Sequence, residues 1–123
     1  MFAGCTEITM ELSCCKYPAA RYLHQEWLNN VNSLLAFMES VHMGVKGVIR
    51  SSGAGLEGVR VTVKGVNFTV TSSARGEYWR LLLPGSYTLE FRKDGYEPLT
   101  KDVLVKDQVL RLDVEMTKAM PPK

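Results

Sequence analysis

The chain has 123 residues, 46% of them apolar and 23% charged, with 15 basic and 13 acidic side chains for a net charge of +2. That length suits one domain with a respectable core, and the composition is that of an ordinary globular protein. So small and evenly mixed a charge excludes the electrostatic footprint of a nucleic-acid or anionic-membrane binder. No apolar run approaches the roughly 20 residues needed to span a bilayer.

The opening, MFAGCTEITM, has no basic start and meets Glu7 early, so no export signal is expected within this chain. Residues 5–15 then alternate. Ile8, Met10, Leu12 and Cys14 share one face; Glu7, Thr9, Glu11 and Ser13 share the other. Alternation of this kind predicts a half-buried strand, which Pro18 ends. Three cysteines, Cys5, Cys14 and Cys15, allow at most one bridge within the chain and leave a thiol over. Adjacent strand residues point to opposite faces, so Cys14 and Cys15 should seek different partners. The competing reading is three inert, buried thiols in a reducing compartment.

From about Ala20 the period changes. Leu23, Trp27, Val31, Leu34, Met38 and Val41 recur at spacings of three and four, predicting a helix that ends near His42 with Gly44 as its stop. Its opposite face carries Gln25, Asn29, Asn32 and Glu39. Beyond Gly44 the chain turns to short alternating runs: VKGVIR, VRVTV, FTVTS, EYWRLLL, YTLEFR, TKDVLVK and VLRLDVEM. Turn-rich breaks separate them, among them SSGAGLEG, KGVN, SARG, PGS and KDGY. These seven strands predict an antiparallel β-sandwich. The tail TKAMPPK reads as a frayed end.

Local chemistry is scarce. Glu7 and Glu11 would lie about 13 Å apart on a strand rising about 3.3 Å per residue. That exceeds the roughly 5–9.5 Å of a glycosidase carboxylate pair. His24 and His42 sit about 27 Å apart along one helix and cannot share a metal. No Cys-x-x-Cys or His-x-x-x-His spacing occurs, so no local metal site is expected. Asn67-Phe68-Thr69 matches the N-glycosylation acceptor pattern at a turn-to-strand junction, a triplet that also arises by chance. Tyr78, Trp79, Tyr87 and Tyr96 are candidate recognition aromatics, but sandwich cores use such residues at least as often, and a core role is expected.

The stretches EITMELSCCKYP, EWLNN, VHMGVKG and GEYWRLLLPGSYTLEFRKDGYEP, in that order, resemble the carboxypeptidase N/E group of zinc metallocarboxypeptidases (the D, M, N and Z types). The likeness runs from about residue 5 to residue 116 and covers only the C-terminal third of such an enzyme. It implies that residues 1–42 are the last strand and helix of a truncated α/β catalytic domain. Residues 43–118 would be the transthyretin-like, carboxypeptidase regulatory-like sandwich, with 119–123 a frayed tail. The fold class implied is mainly β, a seven-stranded antiparallel sandwich preceded by a strand and a long helix.

The resemblance also implies roles. Glu11, in the ELS step, would be the general base and acid of peptide hydrolysis, taking a proton from a zinc-bound water and returning it to the leaving amine. The substrates would be peptides and proteins ending in Lys or Arg. The zinc ligands and the groups that hold the substrate carboxylate would lie upstream, since no HxxE pair occurs here, and no zinc is expected on this chain alone. Thr6 stands where the group has an aromatic residue. Cys5, Cys14 and Cys15 would be disulfide candidates whose partners lie mostly in the missing catalytic domain. Localisation would be the secretory pathway or the cell exterior. Two alternatives compete: a free-standing sandwich acting as an interaction or folding module, and a non-catalytic relative that has lost its ligands.

Overall fold

The computed structural model describes residues 7–120, which divide into two units, 7–41 and 42–120. In the first unit, residues 7–19 are irregular and helix α1 spans Ala20–Glu39, continued by a 3₁₀ turn at Ser40–His42. The expected helix is therefore present with the expected bounds. The strand expected over residues 5–15 is not: among the described residues, 7–15 form no ladder and all are exposed. An alternating segment is half a structure, stable only when a neighbouring strand takes its backbone groups. No described strand pairs with it here, and Ile8 is left 60% exposed.

Helix α1 starts without a side-chain cap, because its N-cap position is Ala19. Its termination is better specified. Ser40 Oγ donates to the Phe37 carbonyl at 2.6 Å, and Gly44 follows at φ +100°, a conformation that favours glycine. No residue of the helix is buried; Leu23, Trp27, Leu28, Leu35 and Met38 are all exposed, while Val31 and Leu34 are half-buried. A helix without a buried face gains little beyond its own hydrogen bonds and is marginal in water.

The second unit is a two-layer sandwich. One layer is built on β1 (Val45–Ser51), the other on the antiparallel order β4-β3-β6-β7, from Thr69–Thr71, Arg60–Val63, Gly85–Arg92 and Leu99–Val105. One flank of β1 pairs antiparallel with β5 (Glu77–Arg80) and then with β2 (Ala54–Gly55). Its other flank takes β8 (Leu110–Arg111) and β9 (Val114–Glu115), both parallel. Alternate residues fill the space between the layers: Val45 and Ile49 of β1, Val61 and Val63 of β3, Leu89 and Phe91 of β6, Val105, Val114 and Met116 are all buried. Tyr78 and Phe91 meet edge to face, centroids 5.5 Å apart.

The sandwich is the expected fold, with two differences of detail. The last expected strand, VLRLDVEM, is two short pieces divided at Leu112–Asp113, and the SSGAGLEG break contains β2. Seven strands thus become nine, and the final two run parallel to β1 rather than antiparallel. Order also extends past the expected boundary at 118, since the Ala119 N–H donates to the Gly95 carbonyl at 2.9 Å. Residues 121–123 lie outside the described residues.

The division at Leu112 has a geometric cause. A Cβ on Gly47 would stand 1.9 Å from the Leu112 carbonyl oxygen, so only glycine lets this segment cross β1. Replacing Gly47 by Ala forces backbone apart from backbone and should cost about 3 kcal/mol or more, the upper end of overpacking effects, read as a lower urea midpoint. Limited proteolysis should degrade residues 7–41 well before the 42–120 sandwich, the order being read from fragment masses; equal protection of both would contradict the marginal helix.

Candidate functional site

The residues singled out in the first unit stand in open chain. Glu11 is exposed in the irregular segment. Cys14 and Cys15 are exposed and unbridged, their Sγ atoms 3.5 Å apart, next to Ser13 at φ +62°. Cys5 lies outside the described residues. Loss of the strand removes the expected division of Cys14 and Cys15 between two faces. Among the described residues no three His, Cys, Asp or Glu side chains converge to hold a metal. The described residues therefore make no site of their own for the zinc implied by the resemblance, which places its ligands upstream.

Three polar groupings of the second unit bear on its broken strand and its buried interior. The first is where β8 gives way to β9. Asp113 Oδ1 accepts the Val48 N–H at 2.9 Å, replacing the carbonyl that a continuous ladder would have offered. Its other oxygen takes Arg111 Nη2 at 3.1 Å, with Arg50 at 3.9 Å. The Arg111 hydrogen bond foremost, then the Val48 amide, hold the Asp113 carboxyl below the usual carboxylate range, outweighing a small opposing effect of burial. Beside it, the Tyr78 hydroxyl donates to the Leu112 carbonyl at 2.7 Å. Burial, aided by the Asp113 charge, pushes the Tyr78 phenol far up, so it stays a neutral donor.

The second place is Ser72, buried at the turn between β4 and β5. Its Oγ donates to the Leu56 carbonyl at 2.7 Å and accepts the Val59 N–H at 2.9 Å, tying down a segment that no strand covers. The third is Arg80. It is 5% exposed, its guanidinium lies over the Phe68 ring at 4.7 Å, and its Nε has no hydrogen-bond partner among the described residues. Burial lowers its pKa.

Asn67 is exposed in the loop that leads into β4, accessible as an acceptor site must be. Of the four aromatics expected in the core, Tyr78 is fully buried, and Tyr87 and Tyr96 pack partly against the core. Trp79 is the exception: it is 45% exposed on the outer face, with Lys46 Nζ 4.9 Å from its ring. Alternation explains the difference, because Tyr78 and Arg80 point inward from β5 and Trp79 must point out. The same alternation could have flagged Arg80 as an inward cation in EYWR. Asp113 could not have been found this way, because it sits where the period breaks.

The carboxypeptidase regulatory-like domain family matches residues 44–117. Carboxypeptidase D of Homo sapiens is 49% identical over 110 residues, 87% of this chain and 8% of that protein. Carboxypeptidase D of Rattus norvegicus is 48% identical over the same span. The carboxypeptidase N catalytic chain of Rattus norvegicus is 44% identical over 106 residues, 85% of this chain and 23% of that one. The chain thus spans less than a quarter of the length of these relatives. Among solved structures, the Bacillus anthracis TIE protein superposes with a TM-score of 0.50 at 22% identity, covering 60% of this chain and 16% of that one. At that identity the likeness is of fold alone.

A pH dependence follows from Asp113. Its folded-state pKa is depressed. Its contribution to stability is therefore complete above the unfolded value, about 3.9, and is lost as the pH falls through the lower folded value. Asp113→Asn should be less stable than the parent at pH 7, and the difference should shrink on acidification below about pH 4, read by urea midpoints across the range. A difference that stays constant with pH would remove the carboxylate from this role.

Proposed function

We propose, since the chain belongs to the carboxypeptidase regulatory-like domain family, that it is the C-terminal portion of a secretory-pathway zinc metallocarboxypeptidase that removes C-terminal Lys or Arg from peptides and proteins. In this reading residues 1–42 belong to the end of the catalytic domain, and residues 43–118 are the sandwich that follows it. One observation carries the reading: the likeness to carboxypeptidases continues past the sandwich. The match covers 87% of 123 residues, about 107, whereas residues 44–117 number 74. Counting all six residues after 117 as matched, about 27 matched residues precede residue 44. Those residues come from the part of the chain before the sandwich; running back from residue 43 they reach residue 17, which takes in α1 and stops short of Glu11.

Within that reading Glu11 is the proton-transferring carboxylate of peptide hydrolysis. Its metal ligands and substrate-binding groups come from the rest of the catalytic domain. Cys5, Cys14 and Cys15 pair with cysteines of the same domain, and Asn67 carries an N-linked glycan. The exposed apolar side chains of α1, each worth about 1.5–3 kcal/mol when buried, support a segment made to be covered by further polypeptide. A second reading, a free-standing sandwich used for folding or interaction, draws on the complete core formed within residues 45–116.

The isolated chain should neither bind zinc stoichiometrically nor release Arg or Lys from peptide C-termini. In the longer protein that contains it, Glu11→Gln should lower kcat for such peptides by about 10²–10⁴-fold, the usual contribution of a general base. Full activity of that variant would remove the assignment, and turnover by the isolated chain would remove the inactivity.

A further inference from the structure

Arg80 is the one inward-facing charge of the sandwich whose Nε the described residues leave without an acceptor. It ends β5 at the edge where β5 and β4 close the two layers, and Phe68, immediately before β4, covers it. It makes no ion pair among the described residues, although Arg50, Arg60, Arg75, Arg92 and Arg111 each find a carboxylate. A buried donor without an acceptor is destabilising, and a charged one more so. Contact with a phenyl ring offsets only part of that, because a ring face offers no lone pair to the Nε–H. The loops adjoining Phe68 and Arg80 in sequence also expose Val66 and Leu83, at 43% and 67%.

We propose that Arg80 is a docking point for a carboxylate borne on another polypeptide segment, with the Phe68 ring as a displaceable cover. The carboxylate would accept the Nε–H side-on in the plane of the guanidinium, the geometry that makes Arg–carboxylate pairs bidentate, while the Phe68 ring, which lies against the guanidinium face, moves aside to admit the segment that carries it. A single guanidinium in apolar surroundings matches one negative charge. A phosphate dianion would bring a second charge with no cation to meet it, at a heavier desolvation cost. The exposed Val66 and Leu83 favour an acid carried among apolar side chains over a free ion. The site is separate from Glu11 and needs no catalysis. Asn67 adjoins Phe68, so a glycan there would stand on the rim, and the test is made on the full 123-residue chain without glycan.

The side-chain Nε–Hε resonance of Arg80, assigned by its loss in Arg80→Lys, reports directly on the site. Three probes are added in turn: acetate, acetyl-Leu-Glu-Leu-amide and its neutral counterpart acetyl-Leu-Gln-Leu-amide. The resonance should move saturably with the Glu peptide, at a half-saturating concentration at least tenfold below that for acetate, and should not move with the Gln peptide. Phe68→Leu should lower the half-saturating concentration by about 2–5-fold, the worth of one exposed cation–π contact. No shift with either carboxylate, equal shifts with the Glu and Gln peptides, or equal strength of acetate and peptide would each overturn the proposal. So would a Phe68→Leu chain that is folded by its amide spectrum yet binds no better. If Phe68→Leu does not fold, the wild-type titrations decide the matter alone.

Discussion

The sandwich depends on one close approach, the passage of the Leu112 carbonyl over Gly47. Because β1 has no side chain there, the returning C-terminal segment can lie against it, and three further interactions become available. Tyr78 reaches the Leu112 oxygen from the neighbouring strand, the Lys46 carbonyl receives the Leu112 N–H at 2.8 Å, and Asp113 caps the Val48 amide. These hydrogen bonds bridge the break between β8 and β9, so β1 finds partners on both flanks despite a discontinuous neighbour. Val114 and Met116 are then delivered to the core as the segment resumes.

The other unit follows a different logic. Helix α1 and the segment before it have the patterning of core elements, yet nothing in either is buried. The segment over 7–15 alternates yet forms no ladder, and the stripe of α1 stays largely exposed, with Val31 and Leu34 half-buried. The sandwich, by contrast, meets its own packing needs within residues 45–116. Family membership rests on this self-sufficient part, and the case for a catalytic origin rests on the dependent one.

What could be read from residues alone divides along a similar line. Signals local to one element were legible: the three-and-four spacing of Leu23, Trp27 and Val31, the stop at Gly44, and the alternation that sends Tyr78 inward. Signals that need a second element were not. The segment over 5–15 carries a strand pattern, but pattern cannot state whether a partner strand is present. The parallel sense of β8 and β9 arises from a long-range return, whereas the alternation of VLRLDVEM is the same for either direction. In EYWR the aromatic side chains mask the inward position of Arg80, and Asp113 marks the place where alternation fails.

The pairing of β1 with the chain's last strands also sets a timetable. Val48 and Asp113, joined by a hydrogen bond, are 65 residues apart in sequence. During synthesis one margin of β1 must wait until the sandwich as far as Asp113 has left the ribosome. Contacts so distant form slowly, because a long loop must close before they stabilise anything. Until then that margin is a raw template on which strands of other nascent chains can dock, and a molecule broken off before Leu110 keeps the vulnerability permanently.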